Sequence, residues 1–160
     1  AGAGKTTLAT KLCKKVRQEN SSAIQLDGDK LRDFFIGGLG ADMSREARLK
    51  LSFGYSKLCN LLASQGFIVV IATVSLFREV HEWNRSNIPV YKEIFLKVPI
   101  EELEARDQKG LYSKFHGGEI KDVVGLDIDF DEPSNPDFVF TYTQGITAAD
   151  TSDILFEKLK

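Results

Sequence analysis

The sequence predicts an α/β fold, in which a parallel sheet is covered by helices on both faces. Helical and strand-like patterns alternate along the chain, as in proteins built on a parallel sheet. Residues 67–74 are continuously apolar and β-branched, which is typical of a strand buried on both faces. The chain has 160 residues, 42% apolar and 28% charged, so we expect a single domain over residues 1–160.

The predicted elements follow from periodicity and from capping residues. Short apolar strands are expected at 23–26, 67–74, 91–98 and 138–142. Helices are expected at 5–20, 30–36, 44–65, 78–85, 99–106 and 147–160. Ser44 is a suitable N-cap and Pro99 a suitable first-turn residue. The glycine-rich residues 37–40 and the long polar stretch 107–131 are predicted loops, and a loop as long as the second is usually functional or disordered.

Composition excludes several classes of function. The 21 Lys and Arg residues and 23 Asp and Glu residues give a net charge of −2, which disfavours a non-specific nucleic-acid partner. Cys13 and Cys59 stand far apart, so with His81 and His116 they predict no zinc site. The longest apolar run, 67–72, is too short for a membrane helix. No signal peptide opens the sequence, and we expect a cytoplasmic protein without a membrane partner.

The first residues match the second half of a phosphate-binding loop, whose motif is G-x-x-x-x-G-K-[ST]. Gly4-Lys5-Thr6 supplies the end of this motif, and its first glycine would lie two positions before Ala1. We therefore expect the first strand to be missing from this chain. A chance glycine turn is the alternative, but the amphipathic helix that follows favours the phosphate loop. Six residues are predicted to bind ATP phosphates: Gly2, Ala3, Gly4, Lys5, Thr6 and Thr7.

An acidic turn follows the first predicted strand, at the sheet edge where α/β proteins bind ligands. Asp27 and Asp29 flank Gly28 there, and Arg32 lies one helical turn further on. A carboxylate in this place can orient a metal-bound water or accept the proton of an attacking hydroxyl. The alternative is structural: Asp29 caps a helix and Arg32 is a surface residue. Beside a phosphate loop, the functional interpretation is favoured.

Several segments occur in the order seen in adenylylsulfate kinases, and the chain resembles that family over nearly its whole length. The segments are GAGKTT at 2–7, LDGDKLR at 26–32, SRE at 44–46, RDQKGLY at 106–112, GEIK at 118–121, GLD at 125–127 and EPSNP at 132–136. The resemblance implies a P-loop NTPase-type kinase with a mobile lid at about 107–131. It also implies transfer of the γ-phosphate of MgATP to the ribose 3′-hydroxyl of adenylylsulfate, and family members often form homodimers.

The resemblance also assigns roles to individual residues. Lys5, Asp29 and Arg106 correspond to catalytic residues, Arg106 also to an ATP contact, and Thr6 and Asp29 to Mg²⁺ ligands. The residues that correspond to acceptor contacts are Asp27, Arg32, Arg48, Ser75, Lys109 and Lys121. For Lys109 and Lys121, a solvated loop charge is the competing interpretation.

The sequence departs from the family on the acceptor side. Leu51 and Phe53 stand where the family usually has an asparagine and a basic residue, and Leu76 stands where it has a proline. Loss of hydrogen-bond donors changes what a polar site can select. This pattern resembles relatives from bacterial capsule clusters, some of which phosphorylate cytidine diphosphoramidate. That acceptor, and a non-catalytic nucleotide-binding domain, are the two alternatives.

Other aromatic and thiol side chains are expected to be structural. His81 and Trp83 could stack on a base or bind an anion, but helix packing is the favoured interpretation. Cys13 and Cys59 are interpreted as inert core thiols. Three phenylalanines that could sandwich a nucleobase are assigned to the core: Phe34, Phe35 and Phe77.

Overall fold

A computed structural model describes residues 2–36, 44–107 and 109–160, and it confirms the α/β class. The strands are β1 (Ala23–Asp27), β2 (Ile68–Ala72), β3 (Ile94–Lys97) and β4 (Phe138–Thr141). The helices are α1 (Lys5–Glu19), α2 (Gly28–Ile36), α3 (Arg45–Ser64), α4 (Arg78–Asn87), α5 (Ile100–Arg106), α6 (Leu111–His116) and α7 (Ala148–Leu159). The predicted loop 37–40 lies outside the described residues.

The strands are parallel, but they form two sheets rather than the one predicted. β1 pairs with β2, from Ala23 opposite Ile68 to Asp27 opposite Ala72. β3 pairs with β4, beginning with Ile94 opposite Phe138, and no ladder joins the two sheets within the described ranges. Apolar patterning identifies strands without specifying their neighbours, so it could not distinguish one sheet from two. β2 is also less buried than expected, because Ile68 is 40% exposed.

The core lies where α1 meets β1, β2 and α7. α1 buries Leu8, Leu12 and Cys13 on its apolar stripe, and Leu155 of α7 is fully buried. α3 packs on β2, α2 and α4 and buries Cys59. Both thiols are therefore in the core as predicted, and burial raises the pKa of Cys59 to about 11, which keeps it unreactive.

The stretch 107–131 is not wholly irregular, because it contains α6. Gly110 precedes this helix with a φ of 62°, and the Asp107 carboxylate accepts hydrogen bonds from the backbone N–H groups of Tyr112 and Ser113. Tyr112 is only 2% exposed, so the helix is anchored to the body of the protein. No helix in the described part of the chain is long and apolar enough to cross a membrane.

Candidate active site

The glycine-rich start of the chain forms a phosphate cradle. Gly2 and Gly4 have φ values of 77° and 83°, in the left-handed region where a Cβ would be strained. Gly4 is the N-cap of α1, yet no side chain caps this end and the first turn holds no acidic residue. The first N–H groups and the positive end of the helix dipole are therefore available to an anion.

Lys5 begins α1 directly beside this cradle. Its side chain makes no ion pair or hydrogen bond within the part of the chain that the structure describes. Burial lowers its pKa, and the nearby Lys109 adds to that effect, while Asp29 and Asp27 oppose it. A desolvated ammonium without a fixed partner is suited to binding phosphate oxygens.

Thr6 connects the phosphate loop to the acidic turn. Its hydroxyl donates a 2.7 Å hydrogen bond to Oδ2 of Asp27, 21 residues away. The other oxygen, Oδ1, accepts hydrogen bonds from the N–H groups of Asp29 (3.0 Å) and Lys30 (3.3 Å). Asp27 therefore caps α2, a role that the structural alternative had given to Asp29. Asp27 was predicted to contact the acceptor, but its carboxylate lies against Thr6, which was predicted to bind Mg²⁺.

Asp29 lies in the first turn of α2 between two cations. Its Oδ1 accepts a 3.0 Å hydrogen bond from Arg32, and its Oδ2 is paired with the ammonium of Lys109. Burial favours a higher pKa for this carboxyl, but the contacts with Lys109 and Arg32 outweigh burial and leave the pKa lowered. Asp29 is thus ionised near neutral pH and can accept a hydrogen bond from a hydroxyl.

Two further residues shape the acidic turn, and they were not among the predicted site residues. Gly28 is so close to the end of β2 that a Cβ would lie 2.9 Å from Oγ1 of Thr73 and 3.2 Å from the carbonyl oxygen of Ala72. Tyr55 donates a 2.9 Å hydrogen bond to the Gly28 carbonyl, and burial raises the pKa of Tyr55 to about 12. The position of Gly28 between two aspartates could have identified it from the sequence, whereas no sequence pattern pointed to Tyr55.

Arg106 borders the phosphate loop from the end of α5. It donates a 3.2 Å hydrogen bond to the Gly2 carbonyl and a 2.8 Å hydrogen bond to Glu102. Its guanidinium lies 4.9 Å from the ring centroid of Tyr142, just beyond β4. A cleft of about 220 Å³ opens here, and Gly4, Arg106, Tyr142 and Thr143 contribute to its lining. Tyr142 is a further residue that sequence reasoning missed, although its place at a strand's carboxyl end was a usable signal.

The other predicted acceptor residues are only partly brought together. Arg48 donates a 2.8 Å hydrogen bond to the Asp122 carbonyl, and its pKa is lowered by burial and by the nearby Arg32. Lys121 is exposed, and no contact joins it to the acidic turn in the described residues. Ser75 lies three residues beyond β2, where its carbonyl contacts His81.

The burial of the aromatic side chains differs in part from the prediction. Phe77 is buried as expected, but Phe34 and Phe35 are 82% and 49% exposed, so the prediction that they belong to the core is wrong. Their apolar character alone suggested burial, whereas α2 turns them outward near the end of the helix. Trp83 packs edge-on against Phe53, with ring centroids 6.5 Å apart, which confirms its helix-packing role.

Comparisons with known proteins identify relatives of this chain. A family model described as adenylylsulphate kinase matches residues 1–141. A cytidine diphosphoramidate kinase from Campylobacter jejuni is 40% identical over 133 residues, which are 83% of this chain and 76% of the relative. A probable adenylyl-sulfate kinase from Pyrococcus abyssi is 34% identical over the whole of this chain and 90% of its own length. An APS kinase from Mycobacterium tuberculosis, solved with AMPPNP and APS, superposes with a TM-score of 0.87 at 30% identity, covering 99% of this chain and 91% of that one.

Proposed function

Because the chain belongs to the adenylylsulphate kinase family of phosphotransferases, we propose that it transfers the γ-phosphate of ATP to a ribose hydroxyl of cytidine diphosphoramidate. The observation that carries the proposed reaction is the 2.7 Å hydrogen bond between Thr6 and Asp27. It places the end of the phosphate loop against the acidic turn, so that a nucleotide on the loop would present its terminal phosphate near Asp29. A donor and an acceptor held side by side are the main requirement of phosphoryl transfer.

The cradle is suited to a nucleoside triphosphate. Its uncapped N–H groups and the Lys5 ammonium would hold the phosphates, since both favour negative charge. The cleft between Gly4 and Tyr142 would hold the base beside the Arg106 guanidinium, which lies 4.9 Å from the centroid of the Tyr142 ring. The proposed ATP site is therefore this cradle together with the adjoining cleft.

The residues present also fit Mg²⁺ held jointly with a nucleotide. Across residues 2–36, 44–107 and 109–160, no group of three or more His, Cys, Asp or Glu side chains could hold a metal ion alone. Mg²⁺ usually binds through one or two protein oxygens together with substrate phosphates and water. The Thr6 hydroxyl and the Asp27 and Asp29 carboxylates supply such oxygens. Bound there, Mg²⁺ would neutralise charge on the transferred phosphoryl group.

Asp29 is the residue that would orient the attacking hydroxyl. Its lowered pKa makes it a weak base, but a loose phosphoryl-transfer transition state requires orientation of the nucleophile more than strong proton abstraction. Arg32 and Lys109 would hold the carboxylate in place and offset the negative charge of two nucleotides. The lid at 107–131, from which Lys109 comes, would exclude water during transfer.

Two features support cytidine diphosphoramidate as the acceptor. The 40% identical relative carries that activity in its name, and this chain has apolar residues at the acceptor-side positions 51, 53 and 76. Phe53 packs on Trp83, and its side chain has no hydrogen-bond donor for a purine. Adenylylsulfate is the second candidate, supported by the Pyrococcus relative and by the similarity to a kinase solved with APS.

Steady-state kinetics with the two acceptors test this proposal. We expect ADP release with ATP and cytidine diphosphoramidate, at a kcat/KM at least about 100-fold above that with adenylylsulfate. Restoring polar groups with Leu51→Asn and Phe53→Arg should raise the use of adenylylsulfate. The reverse preference in the wild-type protein would favour the second candidate, and no ADP release with either acceptor would favour a non-catalytic nucleotide-binding domain.

A homodimer stays a prediction, which sedimentation in solution can test.

A further inference from the structure

Residues 73–77 join β2 to α4 and pass directly beside the acidic turn; we call them the rim segment. At its start, Thr73 lies so close to Gly28 that a Cβ on the glycine would meet its hydroxyl at 2.9 Å. Ser75, a predicted acceptor contact, lies at its centre. Any displacement of this backbone would therefore move one wall of the proposed acceptor site.

The far end of the rim segment is fixed by Asp131. The backbone N–H of Asp131 donates a 3.0 Å hydrogen bond to the Leu76 carbonyl, and its Oδ2 accepts a 3.1 Å hydrogen bond from the N–H of Arg78. Asp131 also lies 3.6 Å from the guanidinium of Arg45. Thus the start of the rim segment lies against Gly28 and its end is hydrogen-bonded to Asp131, whereas neither contact holds Ser75 at its centre.

His81 anchors the centre of the rim segment from the first turns of α4. Its Nε2 lies 2.6 Å from the Ser75 carbonyl oxygen, and since a carbonyl can only accept, Nε2 carries the proton and donates. On the other side of the ring, Nδ1 lies 3.4 Å from Oε1 of Glu93. The two side chains are only 13% and 8% exposed, so the ring is held away from water.

Glu93, the neighbour of His81 on this side, is itself rigidly placed. Its Oε2 is 3.2 Å from the guanidinium of Arg85, and its backbone N–H donates a 2.9 Å hydrogen bond to Asp137. Asp137 also pairs with Arg85 at 3.0 Å and with Lys92 at 3.1 Å. This charged cluster connects α4 with the residues just before β3 and β4, so His81 connects the rim segment, which follows β2, to the β3–β4 sheet.

We propose that His81 is a positioning residue for the acceptor: its imidazole, which donates from Nε2 to the Ser75 carbonyl oxygen, holds the Ser75 backbone where the acceptor nucleotide binds. The inference rests on the proposed kinase function and deepens it. His81 acts through the rim segment and has no contact with the phosphate loop in the described residues. Its loss should therefore weaken acceptor binding while ATP binding is retained.

Kinetics of three variants of the full-length protein test this role. His81→Phe keeps a ring but cannot donate, and we expect it to raise the acceptor KM by about tenfold or more with little change in the ATP KM. His81→Gln keeps a donor toward Ser75 and should recover most of the loss. Glu82→Gln, an exposed neighbour on the same helix, is the matched control and should match the wild type. Acceptor KM values within twofold of each other in the Phe, Gln and wild-type proteins would overturn the proposal.

Hydrogen exchange separates failure of this inference from failure of the proposed function. Amides of the rim segment should exchange faster in His81→Phe than in His81→Gln or Glu82→Gln, whether or not an acceptor is turned over. If the wild-type protein uses neither acceptor but this difference is present, the function is wrong and the anchoring stands. If rim exchange is the same in all four proteins, the anchoring is wrong even when the kinase activity is confirmed. If His81→Phe does not fold, His81→Leu, which also lacks a donor, replaces it in both measurements with the same expected rise in acceptor KM and rim exchange, and values equal to those of the wild type would overturn the proposal.

Discussion

Lys109 and Asp29 form an ion pair although they are separated by 80 positions in the sequence. Asp29 belongs to the acidic turn, and Lys109 belongs to the stretch 107–131 that is predicted to be a lid. The pair therefore connects the proposed hydroxyl-orienting carboxylate to the segment that would cover the reacting groups. Lys109 is thus an ion-pair partner of Asp29, although its side chain is 66% exposed.

Removal of this ion pair should change the pH dependence of the reaction. Burial raises the pKa of Asp29, and Lys109 is the main group that brings it below the ordinary value. Lys109→Gln should therefore raise this pKa, and the acid limb of kcat/KM for the acceptor should move to higher pH, because the ionised carboxylate is the active form. Lys114→Gln, at an exposed lysine of α6, is the control. Superimposable acid limbs in Lys109→Gln and the wild type would contradict the assignment.

Asp29→Asn should separate catalysis from nucleotide binding. The amide keeps the size of the side chain but has lost the negative charge and one accepting oxygen that orient the hydroxyl, so kcat should fall by about 100-fold or more while the affinity for ATP changes little. Asp33→Asn, at an exposed carboxylate on the same helix, should leave kcat near the wild-type value. Turnover of Asp29→Asn within threefold of the wild type would remove Asp29 from its proposed role.

The close approach of Gly28 to β2 predicts a steric effect on stability. In Gly28→Ala the new methyl group would lie 2.9 Å from Oγ1 of Thr73, so the free energy of unfolding should fall by about 1–3 kcal/mol. Gly54→Ala is the matched control, since Gly54 lies within α3 and nothing is within 4 Å of its Cβ position. It should stabilise the protein by about 0.5–1 kcal/mol. Equal unfolding midpoints for the two variants in urea would contradict this close contact.

Asp137 should contribute a pH-dependent part of the stability. Burial alone would raise its pKa, but the Glu93 N–H, Lys92 and Arg85 lower the pKa to about 2. The pKa of an aspartate in the unfolded chain is about 3.9. This stabilisation is therefore present above about pH 4 and is lost as the pH falls through about 2. Asp137→Asn should lower the free energy of unfolding near neutral pH by about 2 kcal/mol and flatten its acid dependence.

A surface ion pair gives the comparison for this measurement. Asp153→Asn removes a partner of Lys15, but Asp153 is 62% exposed, so the loss should be below about 1 kcal/mol. Equal losses for the Asp137 and Asp153 variants, measured by urea unfolding at several pH values, would contradict the special role of Asp137.

The sequence predicted best those features that depend on local patterns. The α1 helix, the glycine cradle before it and the carboxylates at the end of β1 each follow from residue type and spacing. Helix α6 was missed because it is short and lies in a polar stretch, although Leu111 and Phe115 are spaced by one helical turn. Its beginning depends on the Asp107 carboxylate, a capping interaction that residue types alone rarely identify.

Contacts between distant segments could not be predicted in the same way. The pairing of Lys109 with Asp29, the hydrogen bond from Tyr55 to Gly28 and the bridge from Ser75 through His81 to Glu93 all depend on tertiary packing. Residue types suggested that some of these groups were functional or structural, but their partners are set by how the helices lie on the two sheets. The same limit explains why a single sheet was expected.

The measurement that tests the proposed reaction most directly follows radioactive phosphate from γ-labelled ATP in the presence of cytidine diphosphoramidate or adenylylsulfate. We predict that the label moves to the nucleotide acceptor in an amount equal to the ADP formed, and that cytidine diphosphoramidate is the better acceptor. Label that remains in ATP, or that appears only as inorganic phosphate with both acceptors, would contradict the assignment of this protein as a nucleotide kinase.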